Sequence, residues 1–257
     1  MKIATFNVNS IRSRMEAVLD WLGENSPDLL CIQETKVQDH EFPALPFRQA
    51  GYYVVFKGGK SYSGVALLSK YRPERVSFGL DDGKDADESR LLYAKAGPVH
   101  VVNTYVPQGR AVDHPMYRYK LQWFKRLRAY FQRRLSPRAR VVWVGDLNVA
   151  PDPIDIHNPE KQENHVCYHK SVRKAFKRVM EWGFVDVFRK HHPEAGQYTY
   201  FDYRTRDAVK RGMGWRVDHV LATRSLARRS KDSFIDLKPR LQKHASDHTV
   251  LAAEFDI

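Results

Sequence analysis

Apolar residues along this chain follow two alternating periods, one near 2 and one near 3.6. "KIATFNVN", Lys2 to Asn9, alternates apolar and polar residues and predicts a first strand. Ile11 to Asn25 follows with Met15, Val18, Leu19 and Leu22 at helical spacing, and Pro27 and Asp28 punctuate its end. "LLCIQE", Leu29 to Glu34, then reads as a short apolar strand closing on a polar pair. "YYVVF", "GVALLS", "LLYAKA" and "VHVVNTYVP" predict further strands between glycine and proline turns. Between Tyr117 and Leu135, Leu121, Phe124, Leu127, Phe131 and Leu135 recur at three and four residues and define one apolar helix face. Val172 to Trp182 predicts a second amphipathic helix, with Phe176 and Val179 on its apolar side. "VVWVGDLN", "WRVDHVLAT" and "HTVLAAEFDI" are strand-like. No linker, low-complexity tract or short repeat interrupts the pattern, so a single domain over 1–257 is expected. Many strands with helices interposed predict an α/β (α+β) fold, with two mixed sheets packed together and helices outside.

Charge narrows the choice of partner. Lys and Arg total 43 against 30 acidic residues, a net charge of +13. This suits a polyanionic partner: nucleic acid, a membrane surface or a small phosphorylated substrate. From Met116 to Gly145 there is no acidic residue, so the basic helix face around Lys125, Arg126, Arg133 and Arg134 is expected to be solvated. Neither of the two glycine-rich phosphate loops, GxGxxG or GK[ST], is present. Of two cysteines, Cys31 sits in an apolar run and is expected in the core. Cys167 lies in the polar stretch "NHVCYH", which reads as loop. Neither belongs to a CxxC pair, and the spacing of His157, His165 and His169 fits no common zinc template. The N-terminus lacks an apolar signal region, and no run approaches the ~18 apolar residues of a membrane span. A soluble cytoplasmic protein is expected.

Candidate chemistry lies where apolar runs close. "IATF" ends on Asn7, "LLCIQ" on Glu34, "VVNTY" at Tyr105, and "VVWVG" on Asp146 and Asn148. "WRV" leads into Asp218, and "KHAS" into Asp247 and His248 ahead of the last strand. Each ending alone is compatible with an ordinary turn, because Asp and Asn bond their own backbone. Together they predict a polar rim, since buried polar groups are costly unless paired. Glu34, Asp146, Asp218 and Asp247 offer hard oxygens or bases, and Asn7, Asn9 and Asn148 offer neutral amides. Magnesium prefers such oxygens with water and substrate phosphate. His248 supplies a cation or donor for developing negative charge. In a chain of charge +13 this set points to metal-assisted phosphodiester hydrolysis. Two Asp-His dipeptides, Asp218-His219 and Asp247-His248, leave the reactive histidine open on pattern alone.

The ordered motifs "FNVNSIRSR", "CIQETKV", "NTYVPQG", "VGDLNVAP", "FVDVFR", "YTYFDYR", "GWRVDHVLA" and "SDHTVLA" resemble the exonuclease III class of AP endonucleases, in the endonuclease/exonuclease/phosphatase superfamily. The resemblance spans almost the whole chain. It implies a four-layer α/β sandwich of two β-sheets flanked by helices. It also implies a DNA repair nuclease that cuts 5′ to abasic sites with Mg²⁺ or Mn²⁺, with 3′-5′ exonuclease and 3′-phosphatase activity. The implied partner is double-stranded DNA with abasic sites or 3′ ends, bound by a monomer. By the same resemblance Glu34 is the main metal ligand, assisted by Asn7. Asp146 activates water, Asn148 holds the nucleophile or the phosphate, and Tyr105 contacts the phosphate. His248 donates to the phosphate with Asp218 orienting it, which makes His219 a strand residue. Asp247 assists the metal or the leaving group. Arg90, Gln108 and Arg110 would grip DNA, while Tyr200, Phe201 and Trp215 would form the pocket for a flipped-out sugar. Arg204 stands where relatives place a wedge, often apolar. The number of metal ions, and Asp146 or the Tyr105 phenolate as base, stay open. So do two rivals, a superfamily phosphatase for inositol phosphates or lipids and a DNA-binding module with a degenerate site.

Overall fold

The computed structural model describes residues 1–59, 63–83 and 87–257. Its strands are β1 (Lys2–Asn7), β2 (Leu29–Gln33), β3 (Tyr53–Lys57), β4 (Val65–Ser69), β5 (Glu74–Phe78), β6 (Leu91–Ala96), β7 (Val99–Tyr105), β8 (Val141–Asp146), β9 (Phe184–Asp186), β10 (Asp218–Thr223), β11 (Ser230–Asp236) and β12 (Val250–Phe255). The helices are α1 (Ile11–Asn25), α2 (Ala44–Gln49), α3 (Pro115–Arg134), α4 (Lys170–Met180), α5 (Val187–His191), α6 (Arg224–Ala227) and α7 (Lys238–Leu241). Two six-stranded sheets form, ordered β11-β12-β1-β2-β4-β3 and β5-β6-β7-β8-β10-β9. Both are mixed, with β1 parallel to β2 and β7 parallel to β8 among antiparallel pairs. The expected four-layer sandwich is present.

Side-chain alternation builds the layers. Ile3, Leu29, Cys31, Val65 and Leu67 meet Leu92, Val101, Val142, Val144 and Val220 between the sheets. Ala4, Phe6, Leu30 and Ile32 point the other way, under Val18, Trp21 and Leu22 of α1. Trp143 and Val102 likewise face outward, under Trp123, Phe124 and Phe131 of α3 and Phe176 of α4. Cys31 is core, as expected.

The long helix differs from its predicted face. Its buried residues are Tyr117, Lys120, Trp123, Phe124, Leu127, Tyr130 and Phe131, and Leu135 lies beyond its last residue. The stripe is shifted toward 117 and 120, and a lysine sits inside it. Its basic side is also less solvated than expected. Arg126 pairs with Asp82 at 2.6 Å and Asp87 at 2.9 Å, and Arg134 with Asp81 at 3.0 Å. Arg133 caps the carbonyls of Leu80 and Asp81. Asp81, Asp82 and Asp87, all downstream of β5, close over these arginines, and only the tertiary structure brings them there. Edge strands β5 and β11 gave no apolar alternation to read; β5 exposes Glu74, Arg75 and Val76.

Candidate active site

Parity and register assemble the site. Ile3, Thr5 and Asn7 share the inward face of β1, as do Val142, Val144 and Asp146 on β8. Both rows run from apolar to polar at the same open end of the sandwich. Tyr105 and Asp218 each stand opposite Asp146 in the pairing of β7 and β10 with β8. Just beneath, Gln33 reaches across to the other sheet's Asn103 at 2.7 Å and along its own sheet to Thr5 at 2.9 Å, a buried polar layer. Gly145 lets β8 approach β7 here, because a Cβ on it would lie 1.9 Å from the Thr104 carbonyl oxygen.

Asn7 is the hub. Its Nδ2 donates to Glu34 Oε1 and Asp146 Oδ2, both at 2.9 Å, and lies 3.4 Å from His248 Nε2. Its Oδ1 is turned away and accepts from the Asn9 amide at 3.0 Å. Here Asn7 organises carboxylates with its N–H groups, and its oxygen does not face the cluster. Asn148, in the left-handed region at φ 49°, donates its side-chain N–H groups to Val106 O at 3.0 Å and Asp146 Oδ2 at 3.1 Å. Its backbone N–H holds Asp146 Oδ1 at 2.9 Å. Asn148 therefore orients the Asp146 carboxylate.

His248 Nδ1 meets Asp218 Oδ2 at 2.8 Å, leaving Nε2 3.8 Å from Asp146 Oδ2. Burial works against charge on this imidazole, but Asp218 and Asp146 outweigh it and raise its pKa. The raised value favours the imidazolium form, a donor rather than a metal ligand. Burial raises the pKa of Asp146; Asp218 and Glu34 add to the effect and His248 opposes it. Burial, Glu34 and Asp146 push the Tyr105 phenol well above its usual range, so it stays neutral. The Arg90 guanidinium stacks 4.8 Å above that ring. Asp247 lines the same cavity and is held by Asn9 Nδ2 at 2.9 Å. The second histidine, His219, is a strand residue in the core, between Val149 O at 2.8 Å and Arg216 Nη1 at 3.0 Å.

Donor atoms of Glu34, Asp146 and His248 lie within 4.8 Å of one another. With His248 protonated, the available set is carboxylate oxygen, which suits a hard divalent cation. Glu34 and Asp146 would hold it, with Lys36 Nζ 3.1 Å from Glu34 Oε2 as the present counter-charge. Glu34 also needs a left-handed backbone, φ 51°, to turn its carboxylate over the rim.

A cavity of about 220 Å³ opens onto this cluster, with Glu34, Asp146 and His248 in its lining and Tyr200, Trp215, Val217 and His165 as its further wall. Tyr200 packs 5.0 Å from the His248 ring, and His165 packs 4.1 Å from Trp215 with the rings tilted by 52°. Gln108 and Arg204 reach the same cavity; Arg204 is exposed and bound to Asp202 at 2.6 Å. Phe201 does not line it: extended backbone alternates, so Phe201 points opposite to Tyr200 and is buried against Tyr198 and Ala208. Arg110 is exposed outside the cavity wall, its backbone N–H held by Gln108 Oε1 at 2.6 Å.

Two site residues escaped the sequence reading. Lys120 is fully buried behind Asn148 and donates to the carbonyls of Asn148 at 2.6 Å, Val166 at 2.9 Å and Gln108 at 3.0 Å. Its signal was a lysine on the apolar stripe, three residues after Tyr117 and four before Phe124. Cys167 lies in a loop as expected but is buried, with Sγ 3.7 Å from Asn148 Oδ1. The three clustered histidines serve separate contacts: His157 with the Gly214 carbonyl, His165 on Trp215, and His169 with Tyr117.

The sequence model of the endonuclease/exonuclease/phosphatase family matches residues 4–248. The chain belongs to that family. It is 35% identical over 244 residues to an exodeoxyribonuclease of Bacillus subtilis, covering 91% of this chain and 93% of that one. It is 30% identical to exodeoxyribonuclease III of Haemophilus influenzae, covering 99% and 100%. An AP endonuclease structure from Archaeoglobus fulgidus superposes with TM-score 0.98 at 54% identity over all of both chains. A 3′ phosphatase from Neisseria bound to a product DNA hairpin superposes with TM-score 0.95 at 37% identity, again over all of both. As a member of this family the chain is a hydrolytic nuclease, and its acidic cluster fits the family's dependence on a metal ion.

Proposed function

We propose that this protein hydrolyses double-stranded DNA 5′ to abasic sites using Mg²⁺, or Mn²⁺ in its place, and also works at 3′ ends as an exonuclease and phosphatase. The observation that carries the reading is the pairing of opposites: the ionisable base Asp146 and the donor His248 share one cluster with Glu34, in a cavity also walled by Tyr200 and Trp215. The aromatic wall of Tyr200 and Trp215 in this cavity would receive a flipped-out sugar next to the scissile phosphate. Similarity to an AP endonuclease and to a DNA-bound 3′ phosphatase supports the two activities.

Asp146, held by Asn7 and by the backbone N–H and one side-chain N–H of Asn148, is placed to take a proton from attacking water. His248, fixed in orientation by Asp218, donates to a phosphate oxygen as charge builds. Tyr105 adds a neutral phenolic donor. A divalent cation at Glu34 would supply Lewis-acid stabilisation of the phosphate.

The deciding experiment uses a duplex with one tetrahydrofuran abasic analogue. A Mg²⁺-dependent nick on its 5′ side is expected, and an uncut duplex would sink the reading. Glu34→Gln is expected to weaken Mg²⁺ binding at least ~10-fold by calorimetry, since even groups behind a metal ligand contribute that much. Equal affinity would remove Glu34 from the metal site. The rate should be bell-shaped in pH, because Asp146 must be ionised and His248 protonated. Asp218→Asn deletes the largest influence raising the His248 pKa, so the alkaline limb should move to lower pH. A pH–rate profile with an unmoved limb would reject His248 as the donor.

A further inference from the structure

Helix α3 carries cations on two sides, and the fold treats them differently. Arg126 and Arg134 are neutralised by Asp81, Asp82 and Asp87. On the other side Lys125 and Arg128 share a groove of about 510 Å³ with Lys174 and Arg178 of α4, above a floor that includes Leu121 and Ala175. No acidic side chain lines this groove, and neither helix contains an Asp or Glu. Among the described residues none of these four cations is ion-paired; Arg128 donates to Gln132 Oε1 at 3.2 Å. Four like charges around one groove repel one another, so folding alone gives no reason to gather them.

The groove starts beside the catalytic cleft. The N-terminal ends of both helices are tied together there, Tyr117 Oη meeting His169 Nδ1 at 3.0 Å and Lys120 bonding the Asn148 and Val166 carbonyls. From Lys120, α3 runs outward to Arg128 over roughly 12 Å at the helical rise. We infer that the α3–α4 groove is an accessory surface for the phosphodiester backbone of a nucleic-acid strand running off the catalytic cleft. Cations on both walls match a polyphosphate chain. This rests on the DNA reading of the cleft.

The test compares three DNAs in EDTA: a short blunt duplex with an abasic analogue, and the same duplex with a single-stranded oligothymidine tail at its 5′ or its 3′ end. For the wild-type protein one tail is expected to tighten binding and steepen its salt dependence. Lys174→Glu/Arg178→Glu should flatten the log–log salt slope on that substrate by about 1.4, ~0.7 for each lost phosphate contact, and weaken binding roughly tenfold near 0.15 M salt. It should bind, and with Mg²⁺ cut, the blunt duplex like wild type. Arg224→Glu/Arg228→Glu, at the start of α6 and just past its end, changes net charge equally and should keep the tail effect. No tail effect in the wild type, or the same loss in the α6 variant, would overturn the inference. So would an unchanged tail effect in the α4 variant with loss of polyglutamate binding, which would indicate an acidic protein partner. A wild type that neither binds nor cuts the blunt duplex would instead count against the reading of the cleft.

Discussion

Asp146→Asn is expected to bind abasic DNA nearly as well as wild type and to cut it at least ~10²-fold more slowly, as loss of a positioned general base requires. The change keeps the shape of the side chain, and its oxygen still accepts from Asn7, Asn148 or both. What it removes is the basic oxygen and one of the negative charges around His248. Single-turnover kinetics beside a binding isotherm separate the effects. Cutting within a few-fold of wild type would refute Asp146 as the base. It would return attention to Tyr105, whose raised pKa argues against a phenolate as the structure stands.

Asp155→Ala is the change expected to cost most stability, about 3–5 kcal/mol, because it takes from a buried guanidinium one of its two carboxylates. Arg216 is fully buried and bonds Asp155 at 2.7 Å and Asp186 at 2.8 Å. Asp155, also fully buried, takes a further contact of 2.5 Å from Arg189. Arg216 stands one residue after Trp215 and two before Asp218, so this network anchors the segment that delivers both to the cleft. Equilibrium unfolding should show the loss, at about 2–4 °C of Tm per kcal/mol for a chain near this size. The sign with pH follows from the lowered carboxyl values. Burial raises them, but Arg216 outweighs it and holds Asp155 and Asp186 below the usual range. Their contribution is therefore complete above the unfolded value near ~4 and is lost as pH falls through the native ones. Wild type and variant should converge in acid; a constant difference down to low pH would show that the loss is one of packing.

Sequence period alone carried much of this fold. The helix Ile11–Asn25 and the strand Leu91–Ala96 run as their patterns predict. The interior strands were legible because burial on one or both faces forces apolar residues into periods that survive in one dimension. Polar edge strands β5 and β11 were not, since neither fully buries an apolar side chain: β5 has no fully buried residue and β11 buries Ser230 and Ser233.

For the site, the chain itself determined which residue types close the strands and the parity that turns Asn7, Tyr105, Asp146 and Asp218 inward. It could not determine which of those ends meet. Asn7 and Asp146 are 139 residues apart and share a 2.9 Å hydrogen bond only because two separate sheets stack. Nor could it settle which aromatic of Tyr200 and Phe201 faces the cavity, how Asp82 and Asp87 cover Arg126 but leave Lys125 bare, or that Lys120 is buried. Each depends on contacts between distant segments. Local propensity specifies a residue's direction relative to its own strand or helix, whereas the partner waiting there, and hence its charge state and role, exists only once the layers have packed.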